Sequence, residues 1–247
     1  MSDYGGDGMQ VKRVRRAYEQ VADQLRDMIM GGTLTVGDRL PTEAELCERF
    51  QTSRSTIREA LRLLSSQSLI TTQVGATGGS SVAQPKRAEI SDFLNTTLSL
   101  LAGTSELSVH EFLEARQVLE VPAAGMAARA KGAELADVLE SFAPKDMERL
   151  PPHEVFRVNR YFHLTIVEAS GNRLLQLMAE PVFNVMQSRF LRGLAHAQTW
   201  ADVEHDHRHI IKMVRTGDVG AVEEAMRKHL GNLQPLYAVI DRTASPE

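Results

Sequence analysis

The chain has 247 residues, of which 43% are apolar and 24% charged, which predicts one large or two ordinary globular domains. No apolar run reaches membrane-spanning length, and residues 1–10 lack the apolar core of a signal peptide. We therefore expect a cytoplasmic protein without membrane contact. The single cysteine, Cys47, excludes a disulfide framework and a cysteine-based zinc finger, and we interpret it as a packing residue.

The distribution of positive charge is more informative than its total. A formal net charge of −4 argues against nucleic acid as a partner, but DNA binding depends on where the basic residues lie. Arg54, Arg58 and Arg62 recur every fourth residue, with only Glu59 opposing them. This basic stripe is either an ordinary solvated helix face or a surface that contacts DNA.

The first third of the chain predicts three short helices followed by a hairpin. Apolar residues at helical spacing run from about residue 14 to residue 30, and Thr42–Glu45 has the pattern of a capping box. Ser53 is placed to cap a third helix. Residues 69–72 and 80–82 favour two strands around a Gly-rich turn. This order is that of a winged helix-turn-helix, in which the basic stripe lies on the helix that reads DNA.

The exposed N-terminal end of that third helix has the chemistry of a DNA contact. A helix in the major groove presents its first residues to base edges, and arginine suits the two acceptors of guanine. Hydroxyl groups at a helix N-terminus suit phosphates. Arg62 lies two turns further along, where we expect it to contact the DNA backbone or nothing.

From about residue 87 to residue 240 the sequence shows only helical periodicity. Six or seven helices are predicted, which form an all-α second domain and make the fold mainly α. Pro122 falls inside a strong helical pattern, where we expect a kink or a break. The predicted interruptions between helices are Gly103, Pro144, Pro151-Pro152, Gly171-Asn172 and Gly217-Asp218. The predicted domains are a disordered tail over 1–13, the winged helix-turn-helix over 14–84 and the all-α domain over 85–243.

Three of the eight histidines fall on inward helix faces. His163 follows Asn159 by four residues on an apolar face, whereas periodicity selects His207 as the buried member of the segment 205–209. His229 continues an apolar stripe in the last helix. Each of them alone is explained by a hydrogen bond to a carbonyl, but three inward imidazoles beside Asn159 favour a shared Zn, Ni, Cu or Fe ion.

A metal-dependent hydrolase is the alternative for such a site, because catalytic zinc also takes three protein ligands and an open position. The sequence lacks a His-Glu-x-x-His signature, and no carboxylate is placed as a general base. Glu168, five residues past His163, lies off the inward face. We therefore do not expect an enzyme.

The N-terminal motifs resemble the GntR family of bacterial repressors over about residues 15–83. The matching segments are Gly37–Glu43, Ser53–Leu61 and the wing around Gly78-Gly79. The resemblance implies a homodimer that binds a palindromic double-stranded operator. It also implies that two of the arginines of the stripe read bases and that the wing tip reaches the minor groove. The DNA-binding residues predicted on these grounds are Ser53, Arg54, Ser55, Thr56, Arg58 and Gly75.

One departure from that family concerns Ala44. Relatives usually have arginine after the Leu-Pro-x-Glu segment, and this chain has Ala44 there. A DNA contact made by relatives at this position is therefore absent, so operator preference is not transferable.

The second domain resembles the FCD effector domain of the FadR branch of GntR regulators. The segments that carry this resemblance are Glu114-Ala115-Arg116, Leu119-Glu120, Asn159-x-x-Phe162-His163, Asp206-His207-Arg208 and Met226–Leu230. It implies effector binding and dimerisation by this domain, and a divalent cation, zinc first and nickel or another metal next, at the floor of a ligand cavity. The implied ligands are Asn159, His163, His207 and His229. The family more often has Asp as the first of these four ligands. Because Asn159 offers a neutral oxygen instead of an anionic one, it should weaken cation binding and strengthen attraction for an anion.

Arg116 has two interpretations. The family resemblance places it near the effector, where a guanidinium pairs with a carboxylate in bidentate fashion. Its spacing to Glu120 equally favours a structural salt bridge. We expect a repressor that responds to a small organic acid; the alternative is a DNA-binding protein whose helical domain is structural and senses nothing.

Overall fold

The computed structural model describes residues 15–73, 78–104, 106–144, 146–190 and 197–234. The chain divides into two compact units, with the boundary between Lys86 and Arg87. The predicted tail and the wing-tip residue Gly75 lie outside the described residues. None of the described helices is long and apolar enough to cross a membrane.

The first unit has the predicted order of three helices and a hairpin. Its elements are α1 (Ala17–Met30), α2 (Glu43–Phe50), α3 (Arg54–Ser66), β1 (Ile70–Gln73) and β2 (Gly79–Val82). One apolar cluster joins all three helices and both strands through Leu25, Leu46, Ile57, Ile70 and Val82. Because each helix buries one apolar face, the opposite face of α3 is left exposed.

Local capping determines where α2 and α3 begin. The Thr42 side chain accepts a hydrogen bond from the Glu45 amide at 3.3 Å, and the Glu45 carboxylate accepts one from the Thr42 amide at 2.7 Å. Gln51 ends α2 in the left-handed conformation, with φ of 48°. Ser53 Oγ then accepts a hydrogen bond from the Thr56 amide at 3.2 Å. The predicted capping box and the predicted cap at Ser53 are both confirmed.

The wing is tied to the segment that precedes α2. Strands β1 and β2 pair antiparallel, and Arg39 forms a further antiparallel bridge with Ser81. The Leu40 amide donates to the Ser80 carbonyl at 2.9 Å. The wing, the start of α2 and α3 therefore belong to one packed unit.

Within its described residues, the second unit has only helices as regular elements. The elements are α4 (Arg87–Gly103), α5 (Val109–Phe142), a 3-10 turn (Met147–Arg149), α6 (Pro152–Ala169), α7 (Arg173–Val185), a π-helical turn (Met186–Phe190), α8 (Ala197–Thr216) and α9 (Val219–Asn232). Helix α5 is central and packs against α6, α7, α8 and α9. The predicted all-α architecture is confirmed.

Of the two outcomes predicted at Pro122, a kink or a break, the break is wrong. Helix α5 continues through Pro122, and its non-helical backbone lies later, at Lys131, with φ of −142° and ψ of 18°. Pro122 is exposed while its neighbours Val121 and Ala123 are buried. The carbonyl that loses its donor belongs to Val118, which is 73% exposed, so water can bond to it while tertiary packing holds the inner face helical.

Two Gly-containing turns begin helices of the second unit. Gly171 and Gly217 both have φ of 72°, a conformation that glycine adopts without a Cβ clash. The next residue caps the following helix in each case: Asn172 accepts from the Leu174 amide at 3.0 Å, and Asp218 accepts from the Ala221 amide at 3.1 Å. These turns establish where α7 and α9 start.

Candidate metal centre and nucleic-acid interface

Three buried imidazoles meet in the second unit. His163 on α6, His207 on α8 and His229 on α9 have exposed fractions of 0%, 4% and 1%. One ring nitrogen of each lies within 4.8 Å of the others. The inward orientation predicted for all three is found in the structure, and the fold brings together residues from three helices.

The ring nitrogens in this cluster lack ordinary partners. Nε2 of His163, His207 and His229 is buried without a hydrogen bond. Such a group is costly unless an ion or water occupies the space beside it. Burial, followed by the nearby cationic groups, lowers the pKa of His163 and His207 well below 6.5, so both rings are neutral. Neutral imidazoles with free lone pairs are the donors that a divalent transition metal takes, and the cluster therefore fits such an ion.

A carboxylate orients the His229 ring. Nδ1 of His229 lies 3.2 Å from Oδ2 of Asp206, which also accepts from Asn232 Nδ2 at 3.0 Å. Burial raises the pKa of Asp206, but these hydrogen bonds outweigh burial and keep the pKa below its usual value. An ionised Asp206 can only accept a hydrogen bond here, so it favours the Nδ1–H tautomer of His229, in which Nε2 carries the lone pair.

A second carboxylate lies against His163. Glu120 Oε1 accepts from Arg116 Nε at 2.6 Å, and Glu120 Oε2 lies 2.6 Å from His163 Nδ1. Burial raises the pKa of Glu120, while Arg116 acts in the opposite direction. The Arg116 guanidinium also lies 4.8 Å from the centre of the Phe183 ring. The Arg116–Glu120 salt bridge, one of the two interpretations of Arg116, is therefore present.

Asn159 is buried one helical turn before His163, on the face predicted for it. Its role as a ligand stays a prediction. Sequence reasoning missed the contacts of Glu120 with His163 and of Asp206 with His229. No local periodicity links these pairs, because each contact joins different helices.

The start of α3 presents a cluster of hydroxyl groups. Ser53 Oγ lies 2.8 Å from Ser55 Oγ and 2.9 Å from Thr56 Oγ1. The hydroxyls and the helix N-terminus together suit a phosphate oxygen. The structure therefore brings together the three hydroxyl residues that were predicted to contact DNA.

The arginines of α3 differ in their partners. Arg58 Nε donates to both carboxylate oxygens of Glu43, at 2.9 and 3.2 Å, although the side chain is 59% exposed. Arg62 pairs with Glu59 at 2.6 Å. Arg54 is exposed and has no ion pair with any residue in the part of the chain described. The Glu43 contact was not predicted, since it joins α2 to α3 and follows no repeat.

A cleft of about 850 Å³ lies between α3, the start of α2 and the wing. Arg39, Arg58 and Arg62 line it together with Glu43 and Glu45. Ala44, the position of the departure noted in the sequence, is exposed in the first turn of α2. The described part of this surface is therefore basic along α3 but carries acidic residues at the start of α2.

Comparison with known families gives one matching family profile for each unit. The FCD domain profile matches residues 111–232, and the profile of bacterial regulatory proteins of the gntR family matches residues 17–77. Together they cover about three quarters of the chain. The Uxu operon regulator of Haemophilus influenzae is 25% identical, over 90% of this chain and 82% of its own length.

Other relatives span similar lengths. LutR of Bacillus subtilis is 27% identical, over 85% of this chain and 96% of its own. The Glc operon transcriptional activator of Escherichia coli K12 is also 27% identical, over 86% of this chain and 85% of its own. A solved GntR protein of Streptococcus agalactiae shares the fold, with a TM-score of 0.52 and 23% identity over 89% of this chain and 99% of its own. The relatives are transcriptional regulators rather than enzymes. The chain belongs to the GntR family of bacterial transcriptional regulators and carries an FCD domain after its winged helix-turn-helix.

Proposed function

We propose that this chain is a metal-dependent, metabolite-responsive repressor. It binds a palindromic operator as a homodimer through α3 and the wing, and its FCD domain binds a small organic acid. The observation that carries this proposal is the convergence of three partnerless, buried Nε2 atoms in a chain whose other unit has the fold of a DNA reader.

The proposed ligands of the metal are His163, His207 and His229, with the side-chain oxygen of Asn159. Zinc is the first candidate and nickel the next, because both accept imidazole donors. A neutral ligand set leaves the charge of the cation uncompensated, which favours an anionic effector. Arg116 lies in the same buried cluster, but its positive charge is paired with Glu120 beside His163, so the attraction for an anion comes from the metal ion.

The effector changes DNA affinity only if it binds one dimer geometry better than another. Relatives named for the control of operons support regulation of a small gene set. One relative is named an activator, so a similar chain also serves activation. We propose repression, and a reporter gene placed behind the selected operator tests that direction.

The test begins with purified protein and a random DNA library. We expect selection of a palindromic site, about one zinc or nickel ion per chain, and weaker binding to the site when one member of a panel of small carboxylates is added. His207→Ala should lose the metal, whereas His205→Ala, an exposed neighbour on the same helix, should keep it. Operator affinity that no carboxylate changes would instead favour a structural helical domain.

A further inference from the structure

We propose that Glu120 is a positioning residue of the metal centre. Its Oε2 holds the Nδ1–H group of His163, so that Nε2 keeps the lone pair for the metal, and Arg116 fixes the carboxylate by its other oxygen. This inference rests on the proposed metal centre and adds a residue that lies outside the proposed ligand set.

The three groups form a continuous chain inside the core. Arg116 Nε lies 2.6 Å from one oxygen of Glu120, and His163 Nδ1 lies 2.6 Å from the other. The three side chains are at most 2% exposed. At that burial the orientation of each group is set by its neighbours rather than by water, because no solvent competes for the hydrogen bonds.

The contact of Glu120 with His163 is short but poorly aligned. The distance is within hydrogen-bond range, yet neither ring nitrogen of His163 meets the angular conditions of a hydrogen bond. In the proposed state, Nδ1–H points at Oε2. The aligned state is the arrangement already found at His229, whose Nδ1 contacts Asp206. Ligating histidines generally donate their second N–H to a carboxylate or a carbonyl in this way.

The two carboxylates come from different helices, Glu120 from α5 and Asp206 from α8. The third imidazole is oriented by packing instead, since the His207 ring stacks on Phe162 at 3.8 Å with 7° between the planes. Each of the three imidazoles therefore has its own orienting group, and of the two carboxylates Glu120 is the one that also contacts an arginine.

Arg116 makes the role of Glu120 testable with one substitution. Arginine has donors and no acceptor, so in Glu120→Gln the amide oxygen should face Arg116 and the NH₂ group should face His163. Nδ1 would then have to accept a hydrogen bond, which moves the ring proton to Nε2. An Nε2–H imidazole offers no lone pair at that atom to a metal.

The first measurement is the zinc dissociation constant of the full-length protein, by competition with a chelator. Changing a group that orients a ligand usually lowers metal affinity about 10- to 100-fold, and we expect a loss in that range for Glu120→Gln. Glu204→Gln is the matched control, because Glu204 is another buried carboxylate of this unit and bonds to the Met147 amide and Arg208. Wild-type affinity in Glu120→Gln would overturn the proposal.

The second measurement separates positioning from simple loss of charge. Two-bond ¹H–¹⁵N correlation spectra of the metal-free protein report the tautomer of His163, assigned by the signal missing in His163→Gln. We expect Nδ1–H in the wild type and in Glu204→Gln, and Nε2–H in Glu120→Gln. An Nε2–H tautomer in the wild type would overturn the proposal without any variant having to fold. A Glu120→Gln protein that loses affinity but keeps Nδ1–H would overturn it as well.

Failure of the proposed metal centre looks different from failure of this inference. A wild-type protein that binds no zinc removes the centre, while the tautomer spectra still show whether Glu120 orients His163. A wild-type protein that binds zinc and has the wrong tautomer removes only the role of Glu120.

Discussion

The DNA-reading surface and the histidine centre place their charges in opposite environments. The first is exposed and is built mainly from consecutive residues at the start of α3. The second is buried and collects residues from α5, α6, α8 and α9. Each contains an arginine paired with a glutamate, Arg58 with Glu43 and Arg116 with Glu120. The comparison shows how far burial, rather than residue type, determines what such a pair does.

An exposed pair is screened by water and usually contributes about 0.2–1 kcal/mol to stability. Arg58 can therefore exchange Glu43 for DNA with a small loss of free energy. A buried pair behaves differently, because removing one partner leaves a charge in the core without compensation. Arg116 is therefore part of the structure of its unit, whereas Arg58 is available for a ligand.

The strongest test of this difference between the two pairs is to remove the positive charge from each of them. Arg116→Met should lower the free energy of unfolding of its unit by about 3–5 kcal/mol, because Glu120 is left unpaired in the core. Arg58→Met should lower it by less than about 1 kcal/mol. Urea denaturation followed by circular dichroism measures both, and equal effects would show that burial does not distinguish the pairs.

The next largest effect concerns pH. His163 and His207 have a pKa well below 6.5 in the folded state, so the unfolded chain binds more protons as pH falls. Their contribution to the free energy of unfolding is present above pH 6.5 and is lost as the pH falls below that value. As the pH falls below 6.5, each neutral imidazole adds a slope that approaches about 1.4 kcal/mol per pH unit in the metal-free protein.

Denaturation of chelator-treated protein between pH 7 and pH 5.5 measures this slope. His207→Gln should lose the part of the slope that one buried imidazole causes. His205→Gln changes an exposed neighbour and should keep the wild-type slope. A wild-type stability that does not change over this range would contradict the neutral, buried state of these rings.

A smaller effect is expected at the DNA surface. Arg58→Ala should weaken binding to the selected operator by about 1–3 kcal/mol and relax the preference at one base pair. Arg62→Ala is the matched control, since Arg62 is an exposed arginine one turn later that pairs with Glu59. Mobility shifts measure both variants, and an unchanged affinity for Arg58→Ala would remove it as a base reader.

The smallest effect concerns Glu43. Glu43→Gln removes the negative charge opposite Arg58 and one of the two oxygens that accept from its Nε, and we expect operator affinity to change by less than about 1 kcal/mol. Glu48→Gln, an exposed carboxylate on the same helix, controls for the loss of charge. A change of several kcal/mol at Glu43 would show that this exposed pair resembles the buried one.

The local features of the fold can be predicted from the sequence. The capping box at Thr42, the cap at Ser53 and the turns at Gly171 and Gly217 follow from side chains that bond to the nearby backbone. The inward histidines follow from helical periodicity in the same way. Such features depend on a few neighbouring residues, so the sequence carries them in full.

The sequence by itself determined the order of the helices and strands, the exposed basic stripe and the inward faces of His163, His207 and His229. Only the tertiary structure decided that Glu120 and Asp206 contact two of these histidines, that Glu43 pairs with Arg58, and that α5 continues past Pro122. The physical reason is the range of the interaction. Caps and periodicity act within a turn or two of helix, whereas contacts between helices depend on how whole faces pack.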